Sequence, residues 1–251
     1  MLYLVPTPIG NLEDISPRAL RALGSVRAVF CEDTRRTRKL FSHFKISTPL
    51  LRYNERDERS RRTVLDRLRD GEDIAVVSDG GMPGLSDPGR RIVALAREAG
   101  VGVSALPGPN AAVTALAGSG MPADSFVMLG FLPRSPSKRL AALRKAAALG
   151  KTIVFYESPF RVLKALAEAE TALGASCPAC AAREMTKIHE EWVCGTVAEV
   201  RAALTAKKEI LGEFVLVFGA KEENGNATEA LEGTATETEG SDSLRESEPE
   251  R

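Results

Sequence analysis

Short apolar runs separated by long stretches of helical pattern cannot pair with one another as hairpins, and this chain is built of such runs. Residues 2–5, 26–31, 74–78 and 101–106 are apolar enough to be buried strands. Between them, Ser16-Pro17 opens a helix with serine as N-cap and proline at the first helical position. Further helices are expected over residues 36–44, 59–69, 88–99 and 110–119. Crossovers of that length join parallel strands, so the first half predicts a mostly parallel α/β sheet. After Gly120-Met121-Pro122 the pattern restarts. Strands are expected at 126–129, 152–156, 192–194 and 214–218, and helices at 137–148 and 159–173. The expected organisation is two α/β domains, residues 1–121 and 122–220, with one large sheet as the competing arrangement.

A formal net charge of zero hides a strong asymmetry. Residues 221–251 carry ten acidic and three basic side chains, and their only large aliphatic residues are Leu231 and Leu244. So little apolar surface cannot offset the entropy of ordering, and the segment reads as a disordered acidic tail. Residues 1–220 are left with 31 basic against 24 acidic side chains. A moderately basic body suits a polyanionic partner, although a solvated basic face would look the same. No stretch approaches the roughly 20 apolar residues of a membrane helix. The start has no basic segment before its apolar residues, so a cytoplasmic chain without a membrane partner is expected. Cys31, Cys177, Cys180 and Cys194 are expected to be buried thiols. Cys177, Cys180, His189 and Cys194 could in principle gather around zinc, but a lone CxxC is too thin a signal, and no metal is expected.

In open α/β sheets, ligands collect beyond the carboxyl ends of the strands. The unusual residues of this chain lie there: Pro6 to Asn11, Glu32 to Arg35, Asp79 to Gly89, and Pro107 to Ala111. Glycine in such loops lets the backbone approach a ligand closely. No G-x-x-x-x-G-K-[ST] occurs, and no G-x-G-x-x-G follows the first strand. A phosphate-binding P-loop and an ordinary dinucleotide site are both disfavoured.

Thr7-Pro8-Ile9-Gly10-Asn11-Leu12-Glu13-Asp14-Ile15, Cys31-Glu32-Asp33-Thr34-Arg35 and the stretch from Ser78 to Gly89 resemble three successive signatures of the ribosomal RNA small subunit methyltransferase I family, of the tetrapyrrole methylase-like superfamily. Pro107-Gly108-Pro109, Gly130-Phe131-Leu132-Pro133, Tyr156-Glu157-Ser158-Pro159-Phe160-Arg161, Arg183-Glu184-Met185-Thr186-Lys187 and Gly212-Glu213 continue the match in order, over about residues 2–219. Gly80 and Met82 stand where the family usually has alanine and threonine, and Phe160 where it has histidine. Those departures put in doubt a hydroxyl role at 82 and an imidazole role at 160.

The resemblance implies two α/β domains of tetrapyrrole methylase type with S-adenosylmethionine in the cleft between them, and a homodimer. It implies 2′-O-methylation of a cytidine ribose in 16S rRNA of the small ribosomal subunit. A tetrapyrrole or corrin precursor C-methyltransferase, or a non-catalytic RNA-binding assembly protein, are the alternatives. By motif matching, the cofactor falls to Ile9, Gly10, Asp79, Gly81, Met82, Leu85, Asn110, Ala111 and Tyr156, with a plain helix cap as the other reading of Asn110. Asp33, Glu157, Glu184 and Lys187 are the catalytic candidates. Each has an ion-pair alternative: Asp33 with Arg35, Glu157 with Arg161, and Glu184 with Arg183 or Lys187. Arg35, Arg36, Arg38, Lys39, Arg161 and Arg183 are the candidate RNA contacts. Arg56, Arg59, Arg61 and Arg62 form a second basic cluster, offset by Glu55, Asp57 and Glu58. His43 and His189 are read as structural.

Overall fold

The computed structural model describes residues 1–220; the acidic tail expected over 221–251 lies outside the described residues. In the first half, β1 (Leu2–Leu4), β2 (Ala28–Cys31), β3 (Leu50–Arg52), β4 (Ile74–Val76) and β5 (Val103–Ala105) form a sheet in the order β3-β2-β4-β1-β5. Every pair is parallel, as the crossover lengths demand. The register sets Leu4 beside both Val76 and Ala105, so the loops leaving β1, β4 and β5 emerge along one edge.

β2 and β4 are buried along their whole length, as parallel strands covered on both faces must be. Helices α3 (Glu58–Arg69) and α4 (Arg90–Glu98) cover one face, packing Val64, Leu68 and Ile92 on Leu2, Phe30 and Ile74. On the other face, α1 (Pro17–Ser25) and α2 (Thr34–His43) bring Leu23, Leu40 and Phe41 against Val29, Ala75 and Val77. Ser16 caps α1 by accepting from Ala19 N–H, and Asp33 caps α2 by accepting from Arg35 N–H.

In the second half, β6 (Phe126–Phe131), β7 (Thr152–Glu157), β8 (Pro178–Arg183), β9 (Glu191–Thr196) and β10 (Phe214–Phe218) are ordered β6-β7-β10-β8-β9. Only β6 and β7 run parallel; the other pairs are antiparallel, so this sheet is mixed where the alternation suggested a repeat of the first. Helices α6 (Pro136–Ala147), α7 (Val162–Leu173) and α8 (Val197–Thr205) cover one face with Leu143, Leu166 and Val200. The opposite face is covered by α5 (Ala111–Ser119), whose Ala112, Ala115 and Leu116 pack on Val154, Ala182 and Val215. The last helix of the first half in sequence therefore covers the sheet of the second, and its amino terminus lies at the junction.

The antiparallel register of β8 and β9 sets Cys180 opposite Cys194 with 4.1 Å between Cα atoms, and a disulfide joins them. The expectation of thiols at these two positions is thereby corrected. Nothing in the composition of residues 178–183 marks a strand, and it is the pairing of β8 with β9 that brings the two sulfurs together. Cys31 and Cys177 are buried. Among the described residues no group of three or more His, Cys, Asp or Glu side chains is arranged around a metal position, and no helix is long and apolar enough to cross a membrane.

Arg139 on α6 is buried beneath the turn that follows β6. Its guanidinium pairs with Glu168 of α7 and donates to the carbonyls of Pro133 and Arg134. Breaking a buried pair from one side leaves an uncompensated charge. Glu168→Ala is expected to destabilise the fold by about 3 kcal/mol, measured as a lower midpoint in urea unfolding with an unchanged slope.

Candidate active site

The carboxyl ends of the first sheet face one edge of the second. On that edge the register sets Phe214 beside both Glu157 at the end of β7 and Arg183 at the end of β8. Between the two edges lies a cleft of about 580 Å³, well within the size range of small-molecule sites.

Its near wall is knitted from two loops. Thr7 and Gly81 exchange backbone hydrogen bonds of 3.0 and 2.8 Å, Thr7 Oγ1 donates to Ser78 O, and Ser78 Oγ donates to Gly81 O. Gly81 has a φ of +86°, a left-handed conformation in which a side chain would be strained, and so glycine suits the turn. Asn110 caps α5 by accepting from Val113 N–H, and Asn110 and Ala111 at the amino terminus of that helix line the cleft. Tyr156 faces it from β7; burial pushes its hydroxyl pKa up, against the pull of a hydrogen bond with the Ala112 backbone.

The two halves close on each other at Gly10. A Cβ on that residue would lie 2.5 Å from Thr186 Oγ1 and 2.6 Å from Lys187 Cγ. Next to it, Asn11 N–H donates to Thr186 Oγ1 at 3.0 Å. The facing turn holds Glu184 and Thr186 at φ of 49° and 65°, conformations that non-glycine residues adopt only under constraint.

All nine residues matched to the cofactor, Ile9, Gly10, Asp79, Gly81, Met82, Leu85, Asn110, Ala111 and Tyr156, line this cleft. So do Glu157, Glu184, Lys187, Arg36 and Lys39, whereas Asp33, Arg35, Arg38, Arg161 and Arg183 stand outside its lining. Each of the four catalytic candidates is engaged by a neighbour. Asp33 accepts from Arg35 through its backbone N–H and its guanidinium, and those bonds lower its pKa. Glu157 is buried; it accepts from Ser158 N–H, and Arg161 Nη2 lies 3.0 Å from its other oxygen, close enough to pair but out of line for a hydrogen bond. Lys187 Nζ donates to Glu184 at 2.9 Å and to Glu213 at 3.1 Å. Burial alone would raise the Glu184 pKa and lower that of Lys187. Their mutual hydrogen bonds outweigh it, so Glu184 is held below and Lys187 above the ordinary values.

Arg161 also donates to the carbonyls of Leu132 and Pro133, and Arg183 pairs with Glu191 and donates to Leu211 O. Arg35, Arg36, Arg38 and Lys39 are exposed on α2. The cleft lining adds residues that sequence reasoning missed: Ser86, Asp87, Phe131, Met185 and Glu213. Asp87 belongs to the third signature, and the signal available was an acidic residue closing a glycine-rich loop at a strand end.

A glycine-bent cleft between two α/β sheets, lined by apolar side chains, carboxylates and a helix amino terminus, is a small-molecule site. The chain matches the family model for Tetrapyrrole (Corrin/Porphyrin) Methylases over residues 1–201. It is 45% identical over 94% of its length to the ribosomal RNA small subunit methyltransferase I of Micromonospora olivasterospora, covering 76% of that protein. The corresponding protein of Thermotoga maritima is 43% identical over 88% of this chain and 99% of its own. Uroporphyrin-III C-methyltransferase from Thermus thermophilus, solved with S-adenosylhomocysteine, shares the fold at a TM-score of 0.61 and 21% identity, covering 87% of this chain and 96% of that one. The chain belongs to the ribosomal RNA small subunit methyltransferase I family of the tetrapyrrole methylases.

Gly10→Ala forces the two loops apart. It is expected to lower the melting temperature by the equivalent of about 1–3 kcal/mol and to reduce turnover by about 100-fold through misplacement of the facing loops; calorimetric melting and single-turnover assays check both.

Proposed function

We propose that this chain transfers a methyl group from S-adenosylmethionine to the 2′-hydroxyl of a cytidine in 16S rRNA of the small ribosomal subunit, acting as a cytoplasmic homodimer. The observation that carries the reading is the convergence of loops from both sheets on one cleft, with exposed cations of α2 at its border. The family's own name supports the substrate class.

The residues present fit the cofactor. Ile9, Met82, Leu85, Ala111 and Tyr156 offer an apolar bed, and the Gly81 turn admits close approach of a ligand to the backbone. Asp79 provides negative potential of the kind that a sulfonium and an ammonium require. When bound, S-adenosylmethionine supplies a methyl group already activated by the positive charge on sulfur. The protein's task is alignment of the acceptor and removal of its proton. Arg36 and Lys39 border the cleft, and with Arg35 and Arg38 they make a cationic strip along α2 suited to RNA phosphates. Phe160 and Ile188 are 87% and 93% exposed, the kind of apolar surface a second copy would cover.

Purified protein incubated with labelled S-adenosylmethionine and small subunits from a strain lacking the enzyme is expected to place label in 2′-O-methylated cytidine, including its N4-methylated form. Sedimentation of the same preparation is expected to give twice the chain mass. Label in any other nucleoside, or none, would refute the substrate assignment.

A further inference from the structure

Five carboxylates line the cleft: Asp79, Asp87, Glu157, Glu184 and Glu213. Four are engaged. Asp79 accepts from Asp33 N–H and lies 3.6 Å from Arg36, Glu157 is held by Ser158 and Arg161, and Glu184 and Glu213 share Lys187. Among the described residues nothing donates a hydrogen bond to Asp87 or forms an ion pair with it. It is half-buried at the end of the glycine loop after β4 and follows Ser86, whose φ of +64° is a constrained conformation for a residue with a side chain.

We propose that Asp87 is the general base of the methyl transfer. The inference rests on the reading of the chain as a 2′-O-methyltransferase. The acceptor ribose gives its 2′-hydroxyl proton to the Asp87 carboxylate while the oxygen electron pair forms the new bond to the methyl carbon. The carbon–sulfur bond breaks with its electron pair left on sulfur, which becomes a neutral thioether. Asp87 then returns the proton to water, so charge and atoms balance without a further reactant.

The surroundings prepare Asp87 for this work. Burial first, then the charges of Glu32 beyond β2 and Asp79 beyond β4, push its pKa up from 3.8 to about 6, and Tyr156 faces it from β7. A carboxylate near that value is ionised at neutral pH yet basic enough to take a proton. Asp33 and Glu184 are shifted the opposite way, and Lys187 is held as a cation, so each is a poorer base than Asp87. A folded-state pKa raised above the unfolded one stabilises the fold below about pH 4 and forfeits that stability as pH rises through 6. Asp87 is therefore a site where the fold gives up stability at working pH.

Asp87→Asn is expected to lower single-turnover methyl transfer by about 100-fold or more while leaving the affinity for S-adenosylhomocysteine, measured by titration calorimetry, unchanged. It is also expected to melt above the wild type at pH 8, with the difference vanishing toward pH 4; a side chain bracing the loop would give the opposite sign. The wild-type rate is expected to fall on the acid side with a midpoint near 6, and that limb is read without any variant. Full turnover in Asp87→Asn would overturn the proposal. So would a loss that parallels weakened S-adenosylhomocysteine binding, or a wild-type acid limb near 4. A wild type that methylates no small subunits fails the functional reading itself, whereas a wild type and an Asn variant that both methylate fail only the assignment of Asp87.

Discussion

The site depends on one close approach: the turn at Gly10 pressed against the turn from Met185 to Lys187. A cleft between two sheets has no rigidity unless something fixes the distance across it, and here that distance is set at the missing Cβ of Gly10 and the Asn11 to Thr186 hydrogen bond. The constraint propagates in both directions. On one side it sets the reach of the Thr7–Gly81 bridge and hence the position of the glycine loop after β4. On the other it rests on a turn held at two left-handed residues, Glu184 and Thr186, and tied down through Lys187. Backbone strain of that kind persists only where surrounding bonds over-determine it.

The ionisable groups divide into two populations with different work. Arg161 and Glu157 fasten the start of α7 to the turn after β6, Arg139 and Glu168 fasten the same turn from below, and Lys187 fastens the junction. Their charges are satisfied internally, which makes them effective braces and poor reagents. Among the charges of the described residues left without an ion pair, the informative ones are then Arg38 and Lys39, exposed on α2, and Asp87 within the cleft.

Much of the first half was legible in the sequence because a parallel sheet covered on both faces writes itself as continuous apolar runs, as at Phe30 and Ala75. The strand at Leu50–Arg52 was missed, being three residues long and largely at an edge. Pro178–Arg183 escaped because alanine and cysteine carry no strand signature; its burial between β10 and β9 makes it a strand. The helix Val197–Thr205 was also passed over, although Thr196 and Glu199 form a capping box that marks its start. For the site, the cofactor-matched loops were readable since Gly81 and Asn110 have backbone duties visible from residue type alone. The partners of Glu157, Glu184 and Lys187 stood in the sequence only as alternatives. A through-space pair such as Lys187 with Glu213 exists only once the second sheet has folded.

The same folding event explains why acid and base chemistry can be kept apart in so small a volume. Glu32, Asp79 and Asp87 hang from two adjacent strands of the first sheet, so their mutual repulsion is built into the register of β2 with β4. Arg36 neutralises Asp79 in part, while Asp87 lies beyond that pairing and keeps its raised affinity for a proton. Of the α2 cations, Arg36 and Lys39 reach the cleft lining, but all four are exposed, so water screens them. A polyanion can then be held at the rim without bringing positive charge to the carboxylate inside. A single extra cation beside Asp87 would undo that separation, since an opposite charge within a few ångströms favours the ionised carboxylate and removes its basicity.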